Sequence, residues 1–309
     1  MLDRIPRRVV HYSAHDPRTA LGGVESFGRN LRLIFEDVVF MTPRARDEGL
    51  VRREHLPVIC DNQLVLDWPS DMRVIGFQHG VAWRKARATK KLGDLRLAVR
   101  QARAAQRQNV VWAACAAWIS RTFQDLHGTV SEAIIYHPVD LQRFDGRLEN
   151  QGSRLVLHDA RTDHKGRQQL AELARALPDF NFEALGCAPA DVAGRMRHAL
   201  AFVHLSRYEG NSIVCNEAMA MDLPCLFTKV GLMLDTEHRF AVEQVDPLFA
   251  AQGGAPLAAQ TRRFLRAARE GAFHPRRWVA AHAGPEHAKA GWASVLRKFD
   301  EGEPFKRSA

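Results

Sequence analysis

Short apolar runs and amphipathic stretches alternate along most of the chain. Residues 8–13 (RVVHYS) read as a strand and 24–35 (VESFGRNLRLIF) as a helix. Residues 37–42, 57–60 and 73–78 (DVVFMT, PVIC, RVIGFQ) are again strand-like. A long helix is expected from about Ala82 to Gln108, then a strand at 110–116, a short helix at 120–128 and a strand at 132–138. After a polar stretch the pattern restarts. RLVLHDA, FNFEAL, AFVHLS and PCLFTKV read as strands, and KGRQQLAELARAL, PADVAGRMRHAL and NSIVCNEAMAM as the helices between them. The tail from Thr261 is helix-rich. Four-to-eight-residue apolar runs separated by helical periods predict α/β units around parallel sheets.

The polar, Gly-containing DGRLENQGS at 145–153 lacks apolar periodicity and marks the domain boundary. Two α/β halves, 1–147 and 148–309, then follow from the 309-residue length, with a cleft expected between them. The chain carries 44 Lys and Arg against 35 Asp and Glu, a net +9 that suits anionic partners or reflects biased composition. Five cysteines without a CxxC pair point to buried free thiols in a reducing compartment. The first residues lack the apolar region of a signal peptide, and no window approaches ~18 uncharged apolar residues, so no spanning helix is expected.

Three loops offer chemistry. In TALGGVESF, Gly22 and Gly23 open the first helix, where backbone amides suit an anion; a structural turn is the plainer reading. In DARTDHKGR, Arg161 and Lys165 occupy the matching junction of the second half, either to neutralise a diphosphate or as solvated charge. In SRYEGNSIVCNEAMAMDLPC, Glu209 lies in a loop before a helix that Asn211 or Ser212 could cap. Glu217 lies eight positions on, in an apolar and therefore largely buried context where a lone charge is costly.

That last segment resembles the Glu, seven residues, Glu signature of retaining GT-B glycosyltransferases, the group 1 or family 4-like enzymes. GGVESFGRNL resembles their N-terminal GG-x-E loop, IIYHPVDLQRF their interdomain segment, and RTDHKG their phosphate loop, one residue shorter. FQHG offers His79 where that family often places a histidine near the donor sugar. Asp222-Leu223 and Ser212 stand where that family commonly has Gly-Thr or Gly-Leu and Gly. The resemblance runs in order from about Val9 to Gly231. It implies an α/β, GT-B architecture of two Rossmann-like domains facing a central cleft. The N-terminal domain would bind acceptor, the C-terminal domain a nucleotide-sugar donor. The last helix, around 285–299, could return to the first domain. It further implies that Glu209 and His79 act at the transferred sugar. Gly210, Asn211, Ser212 and Ile213 would line its site, and Glu217 would hold the ribose. Arg161, Lys165, Gly22 and Gly23 would serve the diphosphate. Reaction with retention, no cofactor and no metal are implied as well.

The segment Trp83–Gln108 is dense in Arg and Lys, with Asp94 its one acid and Leu92, Leu95, Leu97 and Val99 as an apolar stripe. It suits an anionic membrane surface or a solvated outer face. Poor aromatic interleaving and the lack of a helix-turn-helix or zinc motif argue against nucleic acid. The expectation is a hexose transfer to a saccharide or lipid-linked saccharide in bacterial lipopolysaccharide, capsule or exopolysaccharide synthesis. The enzyme would be cytoplasmic, or peripheral on the inner face of the cytoplasmic membrane. Alternatives are a nucleotide-sugar epimerase or hydrolase of the same fold, or a non-catalytic basic nucleotide- or nucleic-acid-binding protein.

Overall fold

The computed structural model describes residues 4–20, 22–160, 162–235 and 243–302. The polypeptide forms two units. One comprises the chain through Pro138 and resumes at Pro285; the other is Val139–Gly284. The sequence places the boundary at 147/148, and packing divides the chain at 138/139 and 284/285.

The first unit contains strands β1 (Ile5–Tyr12), β2 (Phe35–Met41), β3 (Val58–Asp61), β4 (Val74–Gln78), β5 (Val110–Ala114) and β6 (Ala133–Ile134). Its helices are α1 (Gly23–Asn30), α2 (Glu48–Glu54), α3 (Ala82–Thr89), α4 (Leu92–Ala105) and α5 (Ala117–His127). The strands form one parallel sheet, ordered β2-β1-β3-β4-β5-β6. Buried runs such as Val9–Tyr12 and Val74–Gln78 are what a sheet covered on both faces requires.

The second unit contains β7 (Leu155–His158), β8 (Asn181–Ala184), β9 (Ala201–His204), β10 (Cys225–Thr228) and β11 (Glu243–Val245). Its helices are α6 (Arg167–Ala176), α7 (Val192–Arg197), α8 (Ile213–Ala220), α9 (Pro247–Gln252), α10 (Gly254–Arg269) and α11 (Arg276–His282). Its parallel sheet runs β11-β10-β9-β7-β8. Successive strands lie on opposite sides of β7, so the strand order reverses between β7 and β9. Open α/β sheets bind ligands beyond the carboxyl ends of the strands at such a point. Among the described residues, two parallel sheets of six and five strands fit the two-domain α/β architecture read from the sequence.

The final helix α12 (Pro285–Asp300) belongs to the first unit. Its Trp292 is fully buried, 5.3 Å from the Phe77 ring and 5.6 Å from that of Phe35.

Several elements differ from expectation. The 82–108 helix is two helices, broken where Lys90 turns left-handed (φ 55). The break is stabilised locally: Thr89 Oγ1 donates to Asp94 Oδ2 (2.6 Å), and Lys85 pairs with Asp94 at 3.0 Å. Short hydroxyl side chains compete with helix continuation in this way. The strand expected at 132–138 shrinks to two residues, and the helix at 189–200 to α7 behind a 3-10 turn. Helix α10 starts at Gly254, ahead of the expected Thr261.

Candidate functional site

The carboxyl ends of β7 and β9, neighbours at the reversal point, carry a cluster of ionisable side chains. Asp159 follows β7, and Lys165 lies in the loop before α6; its Nζ donates to Asp159 Oδ2 at 2.9 Å. Glu209, in the loop after β9, places Oε1 3.7 Å from the same Nζ. His204, the last residue of β9, brings Nε2 to 2.9 Å from Glu209 Oε1. Burial pushes the Glu209 carboxyl up. The hydrogen bond and charge of His204, the charge of Lys165 and the Ser206 hydroxyl outweigh it and hold the pKa down at about 2. With Glu209 ionised, His204 Nε2 is the donor. Burial also disfavours charge on Lys165, yet Glu209 and Asp159 raise its pKa.

Two glycines set this geometry. Gly166, at the start of α6, has φ 80, and a Cβ there would meet the Leu205 carbonyl oxygen at 2.7 Å. Gly231 has φ 59, and its Cβ would meet Glu209 Cβ at 2.7 Å and the Gly210 oxygen at 2.8 Å. Both positions accept only a residue without a side chain, because the loop bearing Glu209 lies against them. A cavity of about 10 Å³, bounded by Glu209, His204, Ser212, Cys215 and Thr228 among others, has room for about one water. A sugar ring would have to reach Glu209 from its solvent side, where 17 % of the side chain is exposed.

Helix α8 begins directly after Gly210, Asn211 and Ser212, so its first-turn amides, including that of Ile213, stand beside Glu209 in the chain. Ser212 occupies the N-cap position in extended backbone but makes no side-chain capping bond, contrary to expectation. Asn211 instead accepts from Asn216 Nδ2 at 3.0 Å, both residues being buried. Glu217 is partly exposed rather than buried, a second correction. It shares with Val214 the narrow strip of α8 that escapes burial while Ile213, Cys215, Ala218 and Met219 face inward. Arg161 lies outside the described residues.

The remaining predicted positions belong to the first unit. The His79 side chain is 8 % exposed, and its Nε2 lies 2.7 Å from Asp61 Oδ1. His11 Nε2 lies 3.0 Å from the same oxygen. Burial pushes Asp61 up, but the charges and hydrogen bonds of His11 and His79 hold it at about 2. His137 stacks on His79 with ring centroids 5.3 Å apart; burial, then His79, push its pKa well below the ordinary value. Phe27 and Phe77, stacked at 4.5 Å, line the same cluster. Sequence reasoning found His79 by resemblance and missed Asp61, His11 and His204. Their common signal is a polar residue in or just after a buried strand.

Gly22 is extended (φ 175) and Gly23 opens α1; neither adopts a left-handed φ. A Cβ at Gly22 would lie 2.1 Å from Glu25 Oε2, the end of a side chain that would have to move. The Glu25 carboxylate thus folds over the loop expected to meet phosphate.

Comparison with known proteins bears on the second unit. Residues 145–258 match the glycosyl transferases group 1 family. The match contains Asp159, Lys165, His204, Glu209 and Glu217. Among curated protein sequences, none matches. Solved structures share the fold. Sucrose-phosphate synthase from Thermosynechococcus elongatus has a TM-score of 0.74 at 14 % identity, over 95 % of this chain and 99 % of that one. Anabaena Alr3699/HepE in complex with UDP-glucose has a TM-score of 0.66 at 13 % identity, over 94 % and 99 %. The lipopolysaccharide outer core galactosyltransferase WaaB has a TM-score of 0.58 at 11 % identity, over 94 % and 99 %.

Proposed function

We propose that the chain is a glycosyltransferase that moves a hexose from a nucleotide-diphosphate sugar to a saccharide or lipid-linked saccharide with retention of configuration. The observation that carries this is the ionised Glu209 carboxylate, 3.7 Å from Lys165 at the strand-order reversal, inside the segment that matches the glycosyl transferases group 1 family. A carboxylate accepts hydrogen bonds from sugar hydroxyls, and the ammonium beside it opposes the charge of a departing diphosphate. In this reading Glu209 and the loop through Gly210, Asn211, Ser212 and Ile213 hold the transferred sugar. Glu217, on the partly exposed strip of α8, holds the ribose. Lys165, with Arg161, serves the diphosphate.

The acceptor oxygen attacks the anomeric carbon on the face the diphosphate leaves. One carbon–oxygen bond forms, the other breaks, and the acceptor proton passes to the leaving phosphate oxygen. No protein base or metal is needed in this scheme, so chelation should leave the rate unchanged. The Anabaena neighbour holds UDP-glucose, which makes UDP-sugars the first donors to try. WaaB is a lipopolysaccharide outer core galactosyltransferase, which keeps a bacterial surface glycan in view as product class. This reading puts the enzyme in the cytoplasm, at the inner face of the membrane.

Melting the protein against UDP-, GDP-, ADP- and CMP-sugars tests the donor, since a ligand bound only by the folded state raises Tm. Transfer assays then test the site. Glu209→Ala should lower kcat by about a hundredfold or more. Glu217→Ala should weaken donor binding about tenfold or more. If no nucleotide sugar raises Tm and both variants match wild type in every assay, the reading fails.

A further inference from the structure

Helices α3 and α4 form a hairpin whose polarity is inverted relative to an ordinary surface helix. The buried face of α4 carries Asp94 and Gln101. Gln101 is fully used there: Nε2 donates to Gln78 Oε1 (2.8 Å) and the Gly80 carbonyl (2.7 Å), and Oε1 accepts from Ala82 N (2.7 Å). The outward face instead carries Leu92, Leu95 and Val99, which are 66 %, 41 % and 51 % exposed. Their spacing of i, i+3, i+7 makes one stripe. Trp83 of α3, 47 % exposed, meets Leu92 and Leu95 across a groove of about 330 Å³. Leu97, read from sequence as part of the stripe, is on the inner side and only partly exposed.

Cations surround this apolar face. Arg87, Lys90 and Lys91 rim the groove, and Arg96 and Arg103 extend the charge along α4. None of these five forms an ion pair among the described residues, while Asp94, the segment's one acid, is buried against Lys85. A water-facing helix gains nothing by exposing Leu, Val and Trp within a ring of cations. At the boundary between headgroups and acyl chains, both kinds of side chain find partners.

We infer that the α3–α4 hairpin docks on an anionic lipid surface, with Trp83, Leu92, Leu95 and Val99 entering the acyl boundary and the surrounding Lys and Arg meeting headgroup phosphates. Charge complementarity selects this occupant. A second copy of the chain would bring the same cations face to face. A nucleic-acid backbone would satisfy the cations but leave the leucines and valine unmatched. The inference makes the membrane half of the proposed function specific, yet it does not depend on glycosyl transfer.

The test is binding of the full chain to vesicles of phosphatidylcholine, with and without phosphatidylglycerol, without any sugar donor. Binding should require the anionic lipid and weaken with salt. Changing Arg87, Lys91 and Arg96 to Gln should weaken it about a hundredfold, at roughly fivefold per charge. Trp83→Ala with Leu92→Ser should also release the protein. The other five tryptophans are buried, at most 6 % exposed, so a blue shift of emission on anionic vesicles should vanish in Trp83→Phe. All these substitutions are at exposed positions, and an unchanged Tm verifies the fold. Equal binding to neutral vesicles overturns the inference, as does full binding by the triple-Gln variant. So does self-association abolished by Leu92→Ser, or binding to a soluble polyanion with the apolar substitutions neutral on vesicles. A protein that binds anionic vesicles but no nucleotide sugar keeps this inference and loses the proposed function.

Discussion

At the scale of single residues, the pair His204–Glu209 concentrates the electrostatics of the second unit. Glu209 ordinarily titrates near 4.5 and is held at about 2 in the folded chain. The depressed value means that its stabilisation is present above pH ~4.5 and is lost as pH falls through about 2. Between pH 7 and pH 3 the loss should be about 2 kcal/mol, an order-of-magnitude figure for this one carboxylate. Urea denaturation at both pH values should register it in wild type, and Glu209→Gln should flatten that limb of the profile. His204→Ala should raise the Glu209 pKa, visible as a shift of its carboxyl carbon titration by NMR. It removes the 2.9 Å donor and leaves Lys165 at 3.7 Å.

At the scale of elements, glycines and left-handed turns set where loops end. Gly231→Ala adds a Cβ at positive φ against Glu209 and Gly210, and Gly166→Ala does the same against Leu205. Each should cost about 2–4 kcal/mol in chemical denaturation. Gly231→Ala should additionally weaken whatever ligand Glu209 holds. Asp222 ends the α8 segment at φ 57, a conformation Asp tolerates better than most side chains. Its Oδ1 accepts from Arg276 N at 3.0 Å, which explains why Asp can stand where the resembling family has Gly. Asp222→Val should therefore lose more stability than Asp222→Gly, by about 1 kcal/mol or more, measured by the same unfolding assay.

At the scale of the molecule, each unit has its own parallel sheet and core, and the first is completed by the end of the chain. Helix α12 supplies Trp292 to the ring cluster of Phe27, Phe35 and Phe77. Trp292→Ala should cost about 3–5 kcal/mol, detectable as an earlier urea midpoint for the first unit. In the second unit the Arg276 guanidinium draws together the carbonyls of Leu141, Phe144 and Ala220, tying the 139–147 segment to the end of α8. The 145–153 stretch, which looks like a linker, is held to the second unit by bonds of its own: Arg197 donates to Asp145, Glu149 N donates to the Arg197 carbonyl and Asn150 Nδ2 to that of Ala199.

The alternation of strands and helices was legible in the sequence because burial period is a local property: Val9–Tyr12 and Cys225–Thr228 read as buried strands from their own composition. The placement of Glu209 at a strand-to-helix junction was legible for the same reason. The partners of the ionised groups were not. Asp61 lies 50 residues from His11 and 18 from His79, and one of its oxygens meets both rings only because β3 sits between β1 and β4. The break at Lys90 and the outward turn of Leu92, Leu95 and Val99 likewise depend on what lies beneath: Gln101 and Asp94 find their partners inward. Helical periodicity marks which residues share a face. Which face turns inward is decided by the hydrogen bonds and ring contacts that only strand order brings together.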